Sequence, residues 1–100
     1  MKLHKPKFIT IPFELFESNL TPNAKLLYGV LFTKTRKKKE PSCKYSNTTL
    51  AELFRVNPPT ISMWLDELEA KNLIIRLYYP DNTRKITIKK PGDIDRNETS

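Results

Sequence analysis

Residues 50–68, LAELFRVNPPTISMWLDEL, restrict the fold more than any other stretch of this 100-residue chain. Leu50, Leu53 and Phe54 share one helical face, and Ile61, Trp64, Leu65 and Leu68 recur at i, i+3, i+4 and i+7. Between the two patterns, Asn57, Pro58 and Pro59 end one helix and begin another. Asn57 suits an N-cap, and prolines are tolerated in a first turn because its N–H groups have no intrahelical partner. Two helices that merely pack together need no such abrupt corner. A helix presented end-on to something else does.

The flanking elements can be read from their starts and stops. Thr21 and Pro22 open a helix whose face is Ala24, Leu27, Tyr28 and Leu31. Leu26, Val30 and Phe32 make that helix apolar around most of its girth, so something must cover the excess: the extended segment 8–16, FITIPFELF, or a second copy of the chain. Ser46 caps the next helix. After residue 71, Asn72 suits a left-handed stop. LIIRLYY then sets Leu73, Ile75, Leu77 and Tyr79 on one side of a strand. PDNT supplies a turn, and Ile86 and Ile88 alternate with Lys85, Thr87 and Lys89 in a returning strand. The expected fold is mainly α with a small β hairpin: a three-helix core in residues 21–90. An N-terminal extended segment packs on it in residues 1–20, and a flexible tail or linker start follows in 91–100.

Charge narrows the function. Eighteen Lys and Arg stand against 11 Asp and Glu, a net +7, which favours a polyanionic partner. Residues 34–39, KTRKKK, hold more cations than a helix C-terminus uses against its dipole. One Cys and one His leave no intrachain disulfide, zinc cluster or triad, and no Gly-rich phosphate loop fits two glycines. Nothing here asks for a catalytic role, a metal or a cofactor. No apolar run has bilayer length and no signal peptide opens the chain, so the expected compartment is the cytoplasm and no membrane partner is expected.

Within the corner, Ala51 is small enough to let two helices approach, Val56 plugs the turn, and Ile61 and Trp64 seat the second helix. That is the arrangement of a helix-turn-helix. Arg55 occupies the turn position where Gly is usual. The motifs AKLLY (24–28), SNTTLAEL (46–53), TIS (60–62) and LEAKNLI (68–74) resemble the winged helix-turn-helix domain at the amino end of plasmid, phage and primosomal (DnaD-type) replication initiators. Asn72 replaces that family's usual Gly, and Met63 stands where a basic or polar side chain is common.

The resemblance implies double-stranded DNA as partner, with replication or transcription machinery beside it, and a C-terminal β wing. The candidate contacts are Asn57, Pro59, Thr60, Ser62 and Met63 on the reading helix. Asn82, Thr83, Arg84 and Lys85 form the wing set, and Lys37, Lys38 and Lys39 follow the first helix. The alternative is a protein–protein assembly module that uses Pro59 and Met63 as an apolar contact.

Overall fold

The computed structural model describes residues 9, 11, 15 and 19–89. The elements run α1 (Pro22–Thr35), β1 (Ser42–Cys43), α2 (Asn47–Phe54), α3 (Pro58–Ala70), β2 (Ile74–Tyr78) and β3 (Arg84–Ile88). The chain is thus three helices and a small antiparallel sheet, a winged helix-turn-helix. The expected segment 1–20 falls mostly, and the expected tail 91–100 wholly, outside the described residues.

Each helix starts as its cap chemistry dictates. The Thr21 hydroxyl accepts from the Ala24 N–H at 3.4 Å, with Pro22 opening α1. Ser46 Oγ accepts from the Thr49 N–H at 3.1 Å. Asn57 holds the N-cap position of α3 but makes no side-chain cap bond. Arg55 does take the left-handed conformation, with φ 57° and ψ 46°, and its N–H closes α2 onto the Ala51 carbonyl. A non-glycine residue held there costs on the order of 1–2 kcal/mol, so the corner is kept by the packing around it. Asn72, with φ 61°, ends α3 in a Schellman arrangement: Leu73 N–H reaches the Leu68 carbonyl at 3.0 Å and Asn72 N–H the Glu69 carbonyl at 2.9 Å.

The apolar stripes meet in one core. Ala24, Leu27, Tyr28 and Leu31 from α1, Leu50 and Ala51 from α2, and Ile61, Leu65 and Leu68 from α3 are all buried against Ile74, Ile86 and Ile88 of the sheet. Two polar ties fix α1 across it. Tyr28 donates its hydroxyl to the Lys89 carbonyl at 2.5 Å, and Thr21 donates its N–H and hydroxyl to Glu67 at 3.1 and 2.8 Å.

The sheet adds two features to the sequence reading. The hairpin acquires a third strand, giving the order β1-β3-β2 with Ser42 opposite Thr87 and Cys43 opposite Ile86. Pairing with β1 spares β3 an open edge and buries Cys43. Leu73, Ile75, Leu77 and Tyr79, expected on one side of the strand, part company: Leu73 is buried, whereas Ile75, Leu77 and Tyr79 lie outward at 41%, 47% and 38% exposure. The helix stop decides this. Leu73 is buried as part of the Schellman turn, so Ile74 becomes the first strand residue to point inward, followed by Arg76.

Part of the apolar excess of α1 has cover among the described residues: Val30 is buried and Phe32 half-buried, while Leu26 stays 42% exposed. Leu15 is buried in the core, and Ile9 and Ile11 lie over Gly29. A Cβ at Gly29 would come within 2.5 Å of Ile9 Cγ2 and 2.8 Å of Ile11 Cγ1. Helix propensity alone favours Gly29→Ala by about 1 kcal/mol. Two stiff β-branched side chains must move to admit it, and overpacking costs typically 1–3 kcal/mol. The expected result is a net loss in urea denaturation; a stabilised Gly29→Ala would show that Ile9 and Ile11 are not seated on α1.

Candidate nucleic-acid interface

Helix α3 presents its first turn outward. Asn57, Pro59 and Met63 are exposed, Met63 at 61%, while Thr60 and Ser62 are half-buried beside them. This end is not a backbone phosphate site. Pro58 and Pro59 carry no N–H, and the Thr60 N–H is taken by the Asn57 carbonyl at 2.9 Å. What α3 offers a partner is therefore side chains: an uncommitted Asn57 amide, two hydroxyls and a thioether.

The acidic residues of the same helix are gathered at its other end and are occupied. Arg76 on β2 is bonded to Asp66 at 2.6 Å and through Nε to Glu69 at 2.7 Å. Burial works against charge on Arg76, but the hydrogen bonds it donates to Asp66 and Glu69 outweigh it and carry its pKa above the usual value. Glu67 holds Thr21. Charge is thus sorted along α3, with the carboxylates tied down and away from the corner.

The cations form a separate band. Arg36 caps α1, and Lys37, Lys38 and Lys39 stand exposed in the loop to β1. Lys38 Nζ donates to the Ser42 carbonyl at 3.2 Å, and Lys85 Nζ to Glu40 at 2.9 Å. Hydrogen bonds from Lys85 and then Ser42 hold the Glu40 carboxyl below its ordinary pKa, and the Glu40 bond raises that of Lys85. Lys38, Lys44, Ser46, Thr49 and Lys85 line an open groove of about 540 Å³. A second groove, lined by Asn47, Asn82, Thr83 and Arg84, shares Lys44, Tyr45 and Ser46 with the first. The band therefore runs from the α1–β1 loop over the start of α2 to the tip of the wing.

The sequence-predicted residues divide accordingly. Asn82 sits at the wing tip with φ 70° and is exposed, and Thr83 folds its hydroxyl back onto Asp81 at 2.6 Å. Arg84 differs from expectation. Its guanidinium turns inward, donating to Asn47 Oδ1 at 2.7 Å and the Tyr45 carbonyl at 2.8 Å, and it ties the wing base to the α2 start rather than reaching outward. Thr60, Ser62 and Met63 line neither of these two grooves. Sequence reasoning missed Lys44, which lies 5.7 Å from the Tyr79 ring centroid, and Ser46, Asn47 and Thr49 beside it. Only the third strand, which swings Lys44 beside Lys85 and the wing, reveals them.

Among the described residues no His, Cys, Asp and Glu group could hold a metal, and no helix is long and apolar enough to cross a membrane. A comparison with curated proteins finds no match. Among solved structures, one described as the N-terminal domain of a DNA binding protein aligns with TM-score 0.73 and 22% identity, covering 93% of this chain and 85% of that one. MepR, a transcription regulator of the Staphylococcus aureus multidrug efflux pump MepA, aligns with TM-score 0.60 and 22% identity over 86% of this chain and 58% of its own. YusO from Bacillus subtilis aligns with TM-score 0.53 and 26% identity over 84% and 55%. The chain spans little more than half the length of MepR and YusO. Residues 18–74, more than half the chain, match the family described as a helix-turn-helix domain. With the corner at Arg55–Asn57, α3 seated on α2 and the wing all in place, the chain belongs to that helix-turn-helix family and carries its winged form.

Proposed function

We propose that this protein binds duplex DNA without catalysis, placing α3 in the major groove and its basic band along the sugar–phosphate backbone. The observation that carries the reading is the sorting of charge. The exposed first turn of α3 is free of acid, and Lys38, Lys44 and Lys85 lie in a band that reaches the wing tip, with Lys37 and Lys39 exposed on either side of Lys38 in the chain. In this reading Asn57, Pro59, Thr60, Ser62 and Met63 face base edges. Asn82 and Thr83 meet the backbone or the adjacent minor groove, and the lysines meet phosphates. Arg84 acts through Asn47, holding the wing against α2. The unit that binds is residues 21–90, acting in the cytoplasm. The resemblance of its motifs to replication initiators supports a replication initiator or a related plasmid or phage regulator, and the fold shared with MepR supports a transcriptional role equally well.

Met63 favours a second reading. A thioether exposed at 61% on the presented turn, next to Pro59, suits an apolar protein contact in a replication or transcription assembly. A salt titration separates the two. If about five phosphates are covered, log K for duplex DNA falls with log[salt] at a slope near −4 to −5, whereas an apolar contact barely responds. Fluorescence anisotropy with a labelled duplex between 50 and 200 mM salt measures it. No binding at low salt would leave the assembly module as the better account.

A further inference from the structure

Among the described residues β2 is an edge strand, paired with β3 on one side only. Its bonding directions follow from the ladder. Lys89 N–H reaches the Leu73 carbonyl and Tyr79 N–H the Thr83 carbonyl, so the odd residues from 73 to 79 turn their backbone groups toward β3. Ile74, Arg76 and Tyr78 therefore turn theirs to the open edge. The same strand concentrates exposed apolar surface: Ile75, Leu77, Tyr78 and Tyr79 account for most of the exposed large hydrophobic side chains among the described residues. Natural edges are blunted by proline, lysine or a bulge. The open groups of β2 have none of these, and its one charge, Arg76, is already neutralised by Asp66 and Glu69.

We propose that this edge is a homodimer interface, in which β2 pairs antiparallel with β2 of a second copy about a two-fold axis at Arg76. A second copy fits because the edge is self-complementary. With Arg76 opposite Arg76, Ile74 of each chain meets Tyr78 of the other, so every open backbone group of β2 finds a partner. Ile75 then lies opposite Leu77 on the outer face, an apolar cross-strand pair made twice. Sliding the axis to Leu77 brings in Pro80, which has no N–H to give; sliding it to Ile75 brings in Asn72, whose left-handed backbone cannot extend a strand. The charge pattern agrees. Two unpaired arginines at the axis would repel, but each copy brings its own pair of carboxylates to Arg76. The dimer joins two α3 helices and two basic bands by a two-fold, so it would address a DNA site of matching symmetry.

Sedimentation equilibrium of the full chain without DNA tests this, with Tyr78→Pro and Leu77→Lys as variants and circular dichroism to confirm that each folds. Tyr78→Pro removes an edge N–H and leaves the β2–β3 ladder intact, because the Tyr78 N–H faces away from β3. The expected result is a dimer for the parent chain and a monomer for both variants. The parent dimer should hold or tighten as salt screens two copies of net charge +7, the reverse of the salt response expected for DNA. Hydrogen exchange should show slow Ile74, Arg76 and Tyr78 amides in the parent and fast ones in Leu77→Lys. A monomeric parent overturns the proposal: with slow edge amides the chain covers its own edge, with fast ones the edge is simply open. A dimer that survives both substitutions places the interface elsewhere. Either failure leaves the DNA reading standing, since DNA binding is measured separately.

Discussion

Trp64→Ala is expected to remove about 3–5 kcal/mol of stability, the usual range for truncating a large aromatic in a core. A domain of this size has only about 5–15 kcal/mol in total, so the variant should be partly unfolded near body temperature. Trp64 is 8% exposed and meets the Phe54 ring edge-on, with centroids 5.6 Å apart at 72°. That contact joins the last residue of α2 to the middle of α3 across the corner at Arg55. The corner has little else of its own. Arg55 is strained, Asn57 makes no cap bond, and two prolines withhold N–H groups. Trp64→Phe keeps a ring against Phe54 and should retain a good part of the loss. Urea denaturation followed by circular dichroism measures both. A loss below about 1 kcal/mol for Trp64→Ala would mean that the corner is held by Ile61 and Leu65 without it.

The helices were legible because their starts are chemical events at single residues. Thr21 with Pro22, Ser46, and Asn57 with Pro58 each mark a boundary, and the 3.6-residue stripes of α2 and α3 admit one burial face, while α1 is apolar around most of its girth. The strands were not legible in the same way. Leu73, Ile74 and Ile75 are three apolar residues in a row, so alternation fits either phase of β2. The phase is set by partners in another element, the Schellman stop before it and the Asp66–Glu69 pair that receives Arg76. A strand of two residues such as β1 has too few positions to show any alternation.

The candidate site was legible as charge but not as geometry. The run at 34–39 reads as a surface suited to a polyanion, yet its sequence says nothing of Glu40 bonding Lys85, or of Lys44 joining the band. Arg84 shows the limit most plainly. Beside Lys85 on a wing it reads as a phosphate contact, and only Asn47 and Tyr45, 37 and 39 residues away, turn it inward.

Replacing Lys37, Lys38, Lys39 and Lys44 together with glutamine is expected to weaken binding to every duplex alike. Each lost phosphate contact flattens the salt slope by about 0.9, so four flatten it by about 3 to 4. A parent slope near −4 to −5 then becomes nearly flat, leaving the wing and α3 to hold what affinity remains. The substitutions should not unfold the chain, since Lys37, Lys38, Lys39 and Lys44 are all exposed, and the contacts given up are the Lys38 bond to the Ser42 carbonyl and the Lys44 ammonium beside the Tyr79 ring. Thr60→Ala, Ser62→Ala and Met63→Ala should behave oppositely. They remove no charge, so the salt slope stays that of the parent. A base contact is worth on the order of 1–3 kcal/mol at its own position, roughly ten- to a hundredfold in discrimination, and random duplex should hardly notice its loss. The measurement is a pair of titrations for each variant, on a selected site and on random duplex, at two salt concentrations. If the α3 variants keep the full ratio between the two duplexes while the lysine variant loses it, the roles are reversed. The basic band would then read the site through the shape of its backbone, and the corner at Asn57 would exist to present Met63 to a protein.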